Sequence, residues 1–397
     1  MRGGALIVLL LLTGCGESTD PSYESLEALG EALFFETSLS ANRTQACATC
    51  HNPERGFVDD RIDETGQVRP VSLGDDGSSF GTRNAPSAAY AAFAPEYTVG
   101  IRQRFNRQNS NRLYEGPLGG LFYDGRAATV EAQAGGPPTN PGEMGLSDEA
   151  MLVSRLREDP LYTASFERFF GASVFSDATV AYAAFTEAVG AYERSEVFSP
   201  FDSKYDRALR GEATLSFKEL TGRALFFSEF ANCAICHQLH GSGDPVNKFA
   251  ETFTGYEFHN IGVPANPRAT ELSGVAGPDL GLGGREDISD LAQRGKFKTP
   301  TLRNIAVTGP YMHNGVFEEL RTVVEFYDQY NNPERRVNPE TAEAWRPAEI
   351  SENVALDLLG VGRAMSDLEV ESMVCFLRTL TDARYEPLLV GDASDCE

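Results

Sequence analysis

The chain has 397 residues, 41% of them hydrophobic, which is enough for two or three domains that bury real cores. With 58 acidic and 34 basic residues its formal charge is −24, a balance that repels nucleic acid. Such a surface is either simply solvated or a docking face for a basic electron-transfer partner.

Taken in chain order, Arg2, the apolar run Ala5 to Leu12 and the string Leu12-Thr13-Gly14-Cys15 predict an export signal over residues 1–14. Small residues just before a cysteine read as a lipoprotein box, with Cys15 as the acylated anchor; a plain secretory signal is the alternative. Residues 15–22 read as a polar tether. This places the protein as a lipoprotein on the periplasmic face of a bacterial membrane. No later segment approaches 18 consecutive apolar residues.

Leu26, Leu29, Leu33 and Phe34 then fall at helical spacing. A dozen residues later comes Cys47-Ala-Thr-Cys50-His51, and the same pattern returns as Cys233-Ala-Ile-Cys236-His237. C-x-x-C-H is the attachment pattern of a c-type heme, with two thioether-forming cysteines and a histidine placed to bind iron. A C-x-x-C pair alone also suits zinc or dithiol chemistry. The histidine after each second cysteine, and the absence of a preceding βαβ strand, favour heme in both places.

The repeat extends upstream. Leu29-Gly-Glu-Ala-Leu-Phe-Phe35 precedes the first site, and Thr221-Gly-Arg-Ala-Leu-Phe-Phe227 the second. Each half also closes with a helix. Ser176 or Asp177 caps one carrying Tyr182, Phe185, Val189 and Tyr192 on a single face. Ser366-x-x-Glu369 opens the other as a capping box, followed by Val370, Met373, Val374, Leu377 and Leu380. Residues 59–150, rich in Gly, Pro and Asn, read as long ordered loops, with almost no period-2 strand signal. The predicted fold is mainly α: two cytochrome c-like domains, 23–205 and 206–397, each with one covalent heme c, joined by long ordered loops. Ser199 to Gly211 forms the crossover. Cys375 and Cys396 are left over and free to pair in an oxidising compartment.

Several further strings stand in order: Arg83-Asn-Ala-Pro86, Asp124-Gly-Arg126, Gln133 through Asn140-Pro-Gly-Glu-Met144, Thr299-Pro-Thr-Leu-Arg-Asn304 and Pro310-Tyr-Met-His313. With the two heme sites they make the chain similar, over nearly all its mature length, to the bacterial diheme cytochrome c peroxidase and MauG family. The resemblance implies that hydrogen peroxide reacts at the His51 heme while the His237 heme stores and relays electrons. Conventional members cap the first iron with a histidine from the segment after the first heme. This chain's five histidines are 51, 237, 240, 259 and 313, so none is available there. The resemblance therefore implies an open first iron, as in the MauG branch.

It further matches Glu143 to the family's distal acid–base glutamate and Gln133 to its distal glutamine; from the residue alone, Glu143 would read as a solvated loop carboxylate. For the second iron, Met312, His313, Tyr327, Met365 and Met373 are candidates. Conventional members place a methionine fourteen residues past the string's histidine, where this chain has Tyr327. Leu320, Val323, Val324 and Tyr327 share one helical face, so without the resemblance Tyr327 would read as a core residue. A tyrosinate favours Fe(III), whereas methionine raises the potential. Tyr123 stands where the family has an inter-heme tryptophan relay, and the chain's only Trp is Trp345. Asn84 with the carbonyls of Thr308 and Pro310 matches a calcium site. His313 is implied to be structural or propionate-contacting, and His240 and His259 to be surface or supporting groups. The electron donor is left open among a small cytochrome, a cupredoxin and a protein substrate. Two rival readings remain: a conventional peroxidase fed by a small cytochrome, and a non-enzymatic diheme electron carrier.

Overall fold

A computed structural model describes residues 21–104, 112–239, 251–389 and 396–397. The expected export signal, the Cys15 anchor and His240 lie outside them. The described chain is mainly helical. The first half carries α1 (Leu26–Phe34), α2 (Cys47–Cys50), α3 (Val130–Ala134), α4 (Glu149–Leu156), α5 (Pro160–Phe170) and α6 (Ala178–Glu193). The second carries α7 (Lys204–Leu209), α8 (Phe217–Phe226), α9 (Pro267–Ser273), α10 (Leu320–Asp328), α11 (Leu356–Leu359) and α12 (Asp367–Arg378). Among the described residues no helix is long and apolar enough to cross a membrane.

Local chemistry sets the helix starts. Ser25 Oγ accepts from Ala28 N at 3.0 Å, and Asp177 accepts from Thr179 N at 2.8 Å. Ser366 and Glu369 form the capping box read from the sequence, with Ser366 N donating to Glu369 Oε2 at 2.9 Å.

The upstream repeat becomes a repeated packing solution. α1 crosses α6 at Gly30, where a Cβ would stand 1.9 Å from the Ala188 carbonyl oxygen. α8 crosses α12 at Gly222, where a Cβ would stand 1.8 Å from the Ser372 carbonyl oxygen. Both glycines exist because two backbones meet there. Around the first crossing Phe34 packs edge-on against Phe57, Tyr192 and Phe198; around the second Phe226 packs against Phe253 and Phe376. These residues belong to two separate buried clusters, one per half.

One expectation is corrected. Residues 59–150 contain an antiparallel hairpin, β1 (Thr98–Arg104) with β2 (Arg112–Leu118), Thr98 opposite Leu118 and Arg104 opposite Arg112. Its polarity is inverted, which hid it from the pattern. Val99, Ile101 and Leu113 are 67–69% exposed, while Arg104 points inward and pairs with buried Glu257 at 2.7 Å. Within the segment Ser199 to Gly211, Ser203 and Asp206 cap α7. Cys375 and Cys396, whose pairing the sequence left open, form a disulfide.

Gly30→Ala and Gly222→Ala should each lower stability by roughly 1–3 kcal/mol through overpacking, despite the better helix propensity of alanine. Thermal unfolding followed by circular dichroism checks this, and an unchanged melting temperature would contradict the backbone contact.

Candidate heme cavity and active site

Each C-x-x-C-H string folds into one helical turn. His51 N donates to Cys47 O at 2.9 Å and His237 N donates to Cys233 O at 3.0 Å, so in each site the histidine follows directly off the turn that carries both cysteines. His51 Nδ1 lies 3.1 Å from the Phe57 carbonyl oxygen, and His237 Nδ1 lies 3.0 Å from that of Phe253. That bond fixes the proton on Nδ1 and leaves Nε2 as the free ligand atom. Burial holds both imidazoles below their ordinary value, His237 pushed down to about 4, so both are in the neutral form that binds a metal.

The four cysteines are unpaired. Burial pushes the thiols of Cys47, Cys50 and Cys233 up to about 12, the opposite of the lowered value a dithiol redox pair needs. Among the described residues no three His, Cys, Asp or Glu side chains gather as a metal cage. Both turns open instead onto one cavity of about 1510 Å³. Free thiols, neutral histidines with Nε2 available, and a cavity of that size fit two covalent hemes c.

On the first turn's side the cavity is lined by Gln133 and Glu143. Gln133 is carried by α3, whose cap Thr129 accepts from Ala132 N. Glu143 follows a turn tied by Glu143 N donating to Asn140 O at 3.0 Å. Its carboxylate accepts from Asn140 Nδ2 at 3.0 Å. Burial raises the Glu143 carboxyl above its usual range, with Arg126 and the Asn140 hydrogen bond pulling it back. No histidine other than His51 lies between residues 22 and 236 of the sequence.

On the second turn's side α10 presents Leu320, Val323, Val324 and Tyr327 to the cavity, as the shared face predicted. The Tyr327 hydroxyl has no hydrogen-bond partner among the described residues. Burial raises its phenol well above the ordinary value. The rival candidates Met312, His313, Met365 and Met373 line the cavity too. Met365 and Met373 are core residues, 7% and 1% exposed. His313 stacks on Phe297 with ring centroids 3.7 Å apart, and its buried Nε2 has no hydrogen-bond partner.

Tyr123 lines the cavity too, its phenol raised by burial and drawn back by Arg83. Arg83 bridges Asp124 at 2.7 Å and Asp279 at 2.6 Å. Asn84 Nδ2 donates to Pro70 O at 3.2 Å, and Asn84, Thr308 and Pro310 line the same cavity. His259 is buried rather than at the surface; its Nε2 lies 3.1 Å from Glu257 Oε2.

Three cavity residues escaped the sequence reading. Arg83 was quoted in a string without a role. Lys298, pushed down to about 8 by burial against the opposing pull of Asp124, gives no periodic signal. Glu193 did leave one: it sits four residues past Val189 and eight past Phe185, a carboxylate on an apolar helix face.

The family model for di-haem cytochrome c peroxidase matches residues 24–214. The methylamine utilization protein MauG of Paracoccus denitrificans is 45% identical over 388 residues, 97% of this chain and 95% of that protein. The cytochrome c peroxidase Ccp of Escherichia coli is 30% identical over 310 residues, 76% of this chain and 53% of that one. Among solved structures, the diheme peroxidase BthA from Burkholderia thailandensis superposes with a TM-score of 0.76 at 31% identity, covering 95% of this chain and 90% of that one.

Replacing both cysteines of one turn by alanine should halve the covalently bound heme, measured as pyridine hemochrome on acid-washed protein. Retention of both hemes after loss of either pair would contradict this assignment.

Proposed function

We propose, on the premise that the chain belongs to the di-haem cytochrome c peroxidase and MauG family, a division of labour between two unlike heme sites. The protein is a diheme c-type oxidoreductase of the peroxidase family, and peroxide is its substrate class. In this reading, residues 23–205 and 206–397 each form a cytochrome c-like domain around one heme. When bound, the irons supply a peroxide-binding site and an electron store.

The observation that carries the reading is the contrast between the cavity's two ends. At the end that holds His51 stand a carboxylate and an amide, and the sequence between residues 52 and 236 contains no histidine. Beside His237 stands an unpartnered phenol on an otherwise apolar helix face. Glu143 takes the proton from the nearer peroxide oxygen and returns it to the farther one, as O–O cleavage requires. Its raised affinity for protons suits both halves of that transfer, and Asn140 holds it in place. Gln133 donates its amide to the bound oxygen.

His237 and Tyr327 would hold the second heme iron between them. Burial alone disfavours a tyrosinate there; ferric iron, when bound, would supply the positive charge that offsets it. With Tyr327 as ligand, the bound heme would hold oxidising equivalents better than it would accept electrons from an ordinary cytochrome, which favours MauG-like oxidation of a protein substrate. Tyr123 relays between the two ends. Its hydroxyl has no hydrogen-bonded base among the described residues, so its oxidation is slowed by the proton it must lose. Asn84 and the carbonyls of Thr308 and Pro310 would hold a calcium ion, which hard oxygen donors suit. Cys15 anchors the protein to the periplasmic face of a membrane, and the donor is a small cytochrome, a cupredoxin or a protein.

Glu143→Gln should slow the reaction of the ferric protein with peroxide roughly 10²–10⁴-fold in stopped-flow spectra. Because the base acts ionised and its proton affinity is raised, the wild-type rate should fall as pH drops through a value above the ordinary carboxylate range; the variant should lose that inflection. Tyr327→Met should create a near-infrared methionine–iron band and raise the potential of one heme only. No band and no shift in redox titration would remove Tyr327 from the iron.

A further inference from the structure

Reduction of peroxide to water consumes protons as well as electrons: H₂O₂ + 2 e⁻ + 2 H⁺ → 2 H₂O. The O–O bond breaks and two O–H bonds form. Glu143 only moves a proton between the two oxygens, so it supplies neither of the two that are consumed. Those must be delivered to the end of the cavity that holds Glu143.

Glu193, the last residue of α6, is 7% exposed, yet its carboxylate has no hydrogen-bond partner among the described residues. It lines the same cavity as Cys47, His51, Gln133 and Glu143. Cys47, the thioether anchor, lies within electrostatic reach of both Glu193 and Glu143. One turn back, Gly190 lets α3 approach: a Cβ there would stand 2.8 Å from Glu131 Oε1. Glu131, 28% exposed, is ion-paired with the next residue, Arg194, 47% exposed, at the outer rim. A buried, unpaired carboxyl thus sits between a charged, solvent-touching pair and the reaction cavity.

We propose that Glu193 is the carboxyl through which the two consumed protons enter the first heme cavity, reloaded from solvent beside the Glu131–Arg194 pair. The proposal rests on the peroxidatic reading of the His51 site; the electrons come from a one-electron donor by way of the second heme. Burial and the Glu131 charge push the Glu193 carboxyl up to about 8, with Arg194 opposing, so it stands protonated at neutral pH. Charged groups on the other packed helices act elsewhere: Glu31 of α1 on Tyr192, and Glu149 of α4 on Tyr182.

The test uses the holoprotein with Glu193→Gln, nearly isosteric but without the acid, and Glu193→Asp, which keeps it. With ferrocyanide as donor, wild-type turnover should fall as pH rises through about 8, where Glu193 loses its proton. Glu193→Gln should turn over about tenfold more slowly or worse, without that fall; Glu193→Asp should restore it. Independently of turnover, infrared difference spectra should show a protonated-carboxyl band that vanishes across the same pH range and is missing from Glu193→Gln. Wild-type rate and pH profile in Glu193→Gln, equal slowing by Gln and Asp, or absence of the band would overturn the proposal. The first spectral change on adding stoichiometric peroxide reports the peroxidatic reading itself and should survive in Glu193→Gln.

Discussion

One hydrogen bond, made twice, organises the molecule: histidine Nδ1 to the backbone carbonyl of a phenylalanine. His51 finds Phe57 and His237 finds Phe253. Both phenylalanines have left-handed backbones, with φ of 57° and 53°. That conformation costs of order 1–3 kcal/mol for a bulky residue and persists only where packing overdetermines it. The packing is there. Phe57 stacks on Phe198 at 4.0 Å between ring centroids, and Phe253 sits edge-on to Tyr205 at 5.2 Å. The two helix crossings at Gly30 and Gly222 press Phe34 and Phe226 against these same two rings. Backbone contact, aromatic packing and ligand orientation are therefore one device, built once in each half.

The halves are joined where the second copy of that device is anchored. Arg303 is fully buried, paired with Asp206 and donating Nε–H to Glu251 O at 2.7 Å, two residues before Phe253. Its guanidinium also lies over Tyr90 and Phe201 from the first half and over Phe253 itself. Tyr90 Oη donates to Asp382 at 2.6 Å. A buried ion pair is a costly way to join two surfaces and is tolerated only when its remaining donors are satisfied. Here the carbonyl, Ser203 Oγ and the aromatic faces satisfy them.

What could be read from the sequence followed from local rules. C-x-x-C-H is a one-turn motif, the caps at Asp177 and Ser366 act over three residues, and the α10 face is pure periodicity. The failures were non-local. β1 and β2 invert the usual polarity because Arg104 finds Glu257 from the other half of the chain, a partner 153 residues away. Arg303 looked like one residue of a string because its partners come from three separate segments, at Tyr90, 201–206 and 251–253. Glu193 showed on an apolar face, but only the folded cavity reveals that it has nothing to bind. Met365, Met373 and His313 reach the cavity as readily as Tyr327, since burial alone does not rank ligands.

The central claim is that the two ends of the cavity are unlike: an open iron beside Glu143 and Gln133, and an iron closed by Tyr327. Electron paramagnetic resonance of the ferric holoprotein, with near-infrared absorption on the same sample, tests it most directly. The account predicts one high-spin signal beside one low-spin signal, no methionine–iron band, and loss of both signals when hydrogen peroxide is added. Two low-spin signals with a methionine–iron band, unchanged by peroxide, would contradict it.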